Sequence, residues 1–230
     1  MQRGEEAPSS IANNVNLATP LDPKGDVVLR CRKESTGASA TFLVSTHILR
    51  LASPVFSSMF SATFREGQRL LAEDCPVVEL EDDDPELVGL MLRVLHYQGS
   101  SADHKMDAET LARLSHHCDK YDCTRALRPW VQIWLKNVAT KDESAKAMGF
   151  QILAAFIFDD TLEFRRKSRT ATLQLEPSFV AAWEEEELFE PLLSSVTGKA
   201  RAPFNEPVVT ETIQHPWRSA CSGCWTNSRP

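Results

Sequence analysis

Three features of this 230-residue sequence predict an α+β fold, mostly α, with a small sheet. Short apolar/polar alternations lie near residues 26–44 and 77–80. A succession of capped stretches with 3.6-residue apolar spacing follows them. Polar, proline-bearing segments flank both ends of this dense middle region.

The strands come first. In Asp26-Val27-Val28-Leu29-Arg30-Cys31-Arg32, Val27, Leu29 and Cys31 share one face and Arg30 and Arg32 the other, the pattern of a half-buried strand. Lys33 to Ser39, with Gly37, reads as a turn, and Ala40-Thr41-Phe42-Leu43-Val44 as the second arm of a hairpin. Val77-Val78-Glu79-Leu80 is a third strand.

The helices carry start signals. Ser45 can cap a short helix over His47 to Leu51. Ser53-Pro54 supplies an N-cap oxygen and a proline at the first helical position, where a missing N–H costs nothing. Val55, Phe56, Met59 and Phe60 then form one apolar stripe. Asp84-Pro85-Glu86 repeats the cap, proline and acidic first turn, ahead of an amphipathic run through Leu87, Leu90, Met91, Val94 and Leu95 that Gly99 can end. Asp107 can cap a helix carrying Leu111, Leu114, Cys118 and Tyr121.

A second helical block begins near Leu127, with Trp130, Trp134 and Val138 on its face. Pro129 fits only the first turn of such a helix, or else kinks it. Phe150, Ile152, Leu153, Phe156 and Ile157 are too apolar all round for a surface helix. Phe179, Val180 and Trp183, then Leu188, Phe189, Leu192 and Leu193, make a last stretch broken by Pro191. Residues 1–24 are expected to be a disordered arm and 198–230 a flexible tail, since neither holds a sustained apolar period.

Charge and composition exclude several functions. With 25 Lys plus Arg against 32 Asp plus Glu, the chain lacks the basic face that displaces counterions from nucleic acid. Its longest basic run, Arg165-Arg166-Lys167 with Arg169 nearby, reads as a solvated helix face, as does the acidic run Glu184 to Glu187. No stretch approaches the ~20 apolar residues of a membrane span. The N-terminus leads into no apolar signal core, and six cysteines over this length imply reduced thiols. An intracellular protein of cytoplasm or nucleus is expected, with no nucleic-acid or membrane partner.

No catalytic constellation stands out. There is no phosphate-cradling glycine loop, no nucleophile elbow and no alternating calcium-ligand loop. No cofactor is expected. Asp82-Asp83-Asp84 is accounted for by the helix dipole that follows it. His116 and His117 lie about 100° apart on a helix, so one is expected to be exposed. Cys118 is expected in the core. Cys221 and Cys224, with His215, are weak candidates for zinc, because a closed structural site needs a fourth ligand.

Taken together, these residues resemble a BTB/POZ domain. The likeness rests on Gly25-Asp26-Val27-Val28-Leu29, His47-x-Leu49, Leu51-Ala52-Ser53-Pro54-Val55-Phe56, Met59-Phe60 and Phe64-Arg65-Glu66-Gly67. It continues through Val78-x-Leu80, Asp82-Asp83-Asp84-Pro85 and Lys120-Tyr121-Asp122-Cys123. The run through Trp130 and Trp134 to Phe164-Arg165-Arg166-x-Ser168 is similar to the helical extension of fungal BTB proteins. The resemblance implies a BTB/POZ domain over 25–123, a helical extension over 124–197, and an interaction module rather than an enzyme. It also implies a homodimer, with Val27, His47 and Leu49 at its contact. In family members that serve as substrate adaptors of cullin-based ubiquitin ligases, a hydrophobic-x-Glu motif follows the second short helix. Phe64-Arg65-Glu66 stands at that place, with Tyr97 as a groove neighbour. A scaffold dimer with no ligase link and a zinc protein built on the C-terminal C-x-x-C are the alternatives. Residues 70–76 form an insertion that bears on the surface beside Phe64.

Overall fold

The structure, a computed structural model, describes residues 17–138, 144–175, 183, 186–189 and 191–193. Its architecture is α+β and mostly α. Strands β1 (Thr19–Pro20), β2 (Val27–Arg32), β3 (Ser39–Val44) and β4 (Val77–Glu81) form a mixed sheet in the order β1-β3-β2-β4. The predicted hairpin is the antiparallel pair β2–β3, with Leu29 opposite Phe42, while β4 runs parallel to β2 with Val78 beside Leu29.

Helix α1 (Thr46–Ala52) follows β3, then α2 (Pro54–Met59), α3 (Arg65–Ala72), and, after β4, α4 (Pro85–Leu95). A 3-10 turn (Ser101–His104) leads to α5 (Ala108–Lys120), α6 (Thr124–Asn137), α7 (Ala145–Ile157) and α8 (Thr161–Gln174). A second 3-10 turn covers Glu187–Phe189.

The chain divides into two compact units. Of the described residues, the first takes those up to 103 with 121–128, and the second takes 104–120 with those from 129 onward. This interleaving differs from the expected boundary after residue 123. Helix α5 packs against α7 in the second unit, where its apolar face, Leu111, Leu114 and Cys118, is fully buried. Linear spacing showed that face but not which partner would cover it.

In the first unit, Val27, Val28, Leu29, Cys31 and Val44 of the hairpin are fully buried, with Phe56 and Leu49 from the helices. Burial of both Val27 and Val28 shows apolar cover on both faces of β2, which the alternation alone did not indicate. Three of the predicted caps form, while Ser45 occupies the cap position of α1 without a side-chain bond to its first turn. Ser53 Oγ accepts the Phe56 N–H at 3.0 Å, and Asp84 accepts the Glu86 N–H at 3.1 Å. Asp107 accepts the Thr110 N–H at 2.8 Å. His96 joins two elements: its Nδ1–H donates to the Leu92 carbonyl (2.9 Å), and its Nε2 accepts the Ser45 N–H (3.1 Å).

Several expectations are corrected. Part of the expected N-terminal arm belongs to the fold: Thr19–Pro20 pairs in parallel with Phe42–Leu43, and Leu21 is buried. Two residues are too short a strand to carry a pattern. Helix α4 stops at Leu95, before Gly99, because Tyr97 itself takes the left-handed conformation (φ 60°) that closes helices. Part of the 70–76 insertion is helical, as the last turn of α3. Helix α6 starts at Thr124, so Pro129 falls in its second turn, where it cannot donate to the Arg125 carbonyl.

In the second unit, α7 is buried nearly all round, as its composition requires: Phe150, Ile152, Leu153 and Ile157 are buried, and Phe156 is half-buried. Trp183 and Phe189 close over Gly149, where an added Cβ would lie 2.6 Å from the Trp183 ring. Phe189 stacks on Phe150 (centroids 4.9 Å) and on Trp183 (5.5 Å). Phe179 and Val180 lie outside the described residues.

Candidate interaction surface

The surface proposed from sequence is built on α3 and the turn before it. After Phe60 the chain turns through Ser61 to Thr63, and the Phe64 N–H donates to the Ser61 carbonyl at 3.1 Å. Phe64 occupies the cap position of α3 in an extended conformation (φ -107°, ψ 155°), and its carbonyl accepts the Gln68 N–H. This tight entry needs Gly67: a Cβ there would lie 1.9 Å from the Ser61 carbonyl oxygen. Phe64 is half-buried, part anchored and part offered to solvent, and Glu66 is half-buried in the first turn of the helix. A carboxylate in that turn is favoured by the helix dipole. Glu66 makes no ion pair among the described residues.

The end of α3 is fixed to the sheet. The Arg69 guanidinium grips Glu73 through two 2.9 Å bonds and donates a third, at 2.8 Å, to the Val77 carbonyl at the head of β4. The hydrogen bond to Glu73 raises the Arg69 pKa and holds the Glu73 carboxyl below its ordinary value. Leu71, on the helix's outer side, is 80% exposed.

Tyr97 comes from a separate element, the C-terminal end of α4, and is 92% exposed. Its ring lies open rather than lining an enclosed groove. The left-handed backbone that ends α4 turns it outward.

The residues expected at a dimer contact divide. His47 is exposed on α1. Val27 and Leu49 are both fully buried. Their side chains therefore support the first strand and helix from within and present no atoms to a partner. Leu51, one turn beyond His47 and 78% exposed, shares the outer face of α1. Spacing missed it because an exposed leucine in a short helix looks like a core residue. Only burial distinguishes the two.

Behind this surface lies a buried polar link. Ser53 Oγ accepts the Phe56 N–H and also donates to the Tyr121 carbonyl. The Tyr121 hydroxyl donates to Asp83 Oδ2 at 2.6 Å, and its ring stacks on Phe56 with centroids 4.6 Å apart. Burial first, then the Asp83 charge and the hydrogen bond to it, push the Tyr121 phenol well above its ordinary value. Asp83, 1% exposed, is thus a structural acceptor and not the dipole-facing carboxylate expected from Asp82-Asp83-Asp84. Only Asp84 caps the helix.

The remaining candidates are also placed. His116 and His117 are both half-buried, a correction to the expected exposed member. Burial drives the His116 pKa down to about 4, with His117 adding to the drop and the hydrogen bond to the Leu188 carbonyl opposing it. Its Nε2–H donates to that carbonyl at 3.3 Å. Cys118 is fully buried, as expected. Arg165 and Arg166 are exposed on α8, and Glu186 pairs with Lys146 at 2.5 Å. Cys221, Cys224 and His215 lie outside the described residues. Among the described residues no cluster of three His, Cys, Asp or Glu side chains could hold a metal, and no helix is long and apolar enough to cross a membrane.

The structure thus combines a small mixed sheet, paired short helices and a half-buried aromatic-glutamate turn. Residues 23–134 match the BTB/POZ domain family, and the chain carries a BTB/POZ domain there, a protein–protein interaction module. No curated protein matches the chain.

Proposed function

We propose that the chain works inside the cell as a homodimeric substrate adaptor of a cullin-based ubiquitin ligase. The observation that carries this reading is a BTB/POZ domain whose hydrophobic-x-Glu turn, Phe64-Arg65-Glu66, is solvent-accessible at the head of α3. An aromatic that is half anchored can enter a partner's groove with little loss of side-chain freedom, and a carboxylate with no ion pair can accept a charge-assisted bond. His47 and Leu51, one turn apart on the outer face of α1, are the self-association contact in this reading. In this reading the helical segment after the domain is the place for substrate.

A second reading is a scaffold dimer with no ligase link. It is favoured by the helical insertion, which places the exposed Leu71 on the same helix as Glu66 and so reshapes the surface beside the motif.

Light scattering during size exclusion tests both, on the protein alone and mixed with a cullin N-terminal domain. The adaptor gives twice the 25.7 kDa chain mass alone and gains cullin mass on mixing. The Phe64→Ala, Glu66→Ala double variant keeps the dimer and loses the gain. A dimer that ignores the cullin leaves the scaffold reading. A monomer that stays unchanged in Leu51→Glu removes the dimer from both.

A further inference from the structure

A groove of about 330 Å³ opens in the first unit between α1, the turn after α2 and the end of α3. Ala62, Leu70 and Leu71 give it an apolar side. Asp26, Asp74 and Cys75 also line it. The groove adjoins the Phe64–Glu66 turn but is lined by neither Phe64 nor Glu66.

The charges around the groove are not balanced. Glu73 lines it too, but both its oxygens are held by Arg69. Arg50, its one lining cation, donates to the neutral Phe60 carbonyl and keeps its charge, so Asp26 and Asp74 leave the groove with one negative charge in excess. Asp26 and Asp74 form no ion pair among the described residues. The Asp26 carboxylate is fixed in place by two bonds from Thr46, from its N–H at 2.7 Å and its hydroxyl at 2.6 Å. Both donors are neutral, so they orient the carboxylate without cancelling its charge. Cys75 is held in the left-handed region (φ 50°) and is half-buried. Its thiol pKa is raised by burial first, and then by the charges of Asp26 and Asp74, so both carboxylates act on the same point of the groove.

We infer that this groove binds an aliphatic-stemmed cation, the lysine or arginine side chain of a partner polypeptide, with the stem along Leu70 and Leu71 and the charged head between Asp26 and Asp74. Long basic side chains bury their methylenes on apolar surface while keeping the head among polar groups. Both parts of the groove match that chemistry. A small inorganic cation or an apolar side chain would satisfy only one part. The volume falls at the lower end of that of small-ligand sites and admits one side chain rather than a folded element.

The test is nitrogen–proton correlation spectroscopy on the full chain, titrated with N-acetyl-lysinamide, N-acetyl-argininamide and, as the neutral control, N-acetyl-glutaminamide. The expected result is saturable shifts at the amides of 73–75 and 26 with the two cations, at a Kd on the order of 1 mM for probes this small, and none with the control. Asp26→Asn weakens binding further but also loosens the tie to Thr46. The decisive variant is therefore Asp74→Asn at an exposed position, expected to weaken binding by about three- to tenfold with an otherwise unchanged spectrum. No saturable shifts at 73–75, equal shifts with the neutral probe, or an Asp74→Asn variant that binds like the parent would each overturn the inference.

Discussion

Around Ser53 and Tyr121 the first unit is held by polar atoms that join helix ends across long sequence separations. Around Gly149 and Trp134 the second is held by rings. In the first, one hydroxyl caps α2 and ties to Tyr121, whose own hydroxyl reaches buried Asp83. In the second, Phe150, Phe189 and Trp183 stack in series, and Trp134 meets Phe158 at 6.3 Å. Directional bonds fix one geometry and penalise any other, because a buried unmatched partner is costly. Ring packing gains more per residue from burial and tolerates more variation in angle. The unit with the polar link is the one that presents the candidate interaction surface, which must hold a fixed shape.

The sharpest way to break this contrast is Trp134→Ala. It removes a fully buried ring and is expected to cost about 3–5 kcal/mol. Hydrogen exchange should show lost protection in α7 well beyond any loss in β2 and β3. Equal loss in both would erase the distinction between the units.

Acid should also weaken the second unit. The His116 pKa in the folded chain, about 4, lies below its ordinary 6.5, so the folded state favours the neutral ring. The stability this gives is fully present above pH 6.5. It falls as pH drops below 6.5, because the unfolded chain then binds the proton first, and it is gone near pH 4. A shift of this size corresponds to about 3 kcal/mol over the window. Urea midpoints measured from pH 7 to 4 should fall less steeply in His116→Gln than in the parent. Parallel curves would mean that another group carries the acid sensitivity. His96 of the first unit follows the same sign: burial lowers its pKa, opposed by its bond to Leu92.

The smallest effect sharpens the first unit. Tyr121→Phe keeps the stacked ring and removes only the hydroxyl, leaving the buried Asp83 without that donor. A loss of about 2 kcal/mol is expected in urea unfolding. A change below about 0.5 kcal/mol would show that the link contributes little beyond the ring itself.

Much of the fold was legible because its signals are local. Ser53-Pro54, Asp84-Pro85 and Asp107 act within a few residues of themselves, and each cap forms where the sequence places it. The stripe through Leu87, Leu90, Met91, Val94 and Leu95 is buried as its period requires. The candidate site was legible only as a motif. The sequence marked Phe64 and Glu66 but could not show that Val27 and Leu49 face inward, that Leu51 faces out, or that Tyr97 ends its helix with a left-handed turn.

The sequence by itself determined the α+β class, the main strands, the helix starts and the amphipathic faces, because backbone conformation and periodicity are properties of neighbouring residues. Only the tertiary structure decided the rest. It assigned α5 to the second unit and added Thr19–Pro20 to the sheet. It turned Asp83 into a buried acceptor for Tyr121, 38 positions away. It also brought Asp26 and Asp74 to the same groove. These outcomes depend on which surfaces meet once apolar faces leave water, and no local pattern encodes that choice.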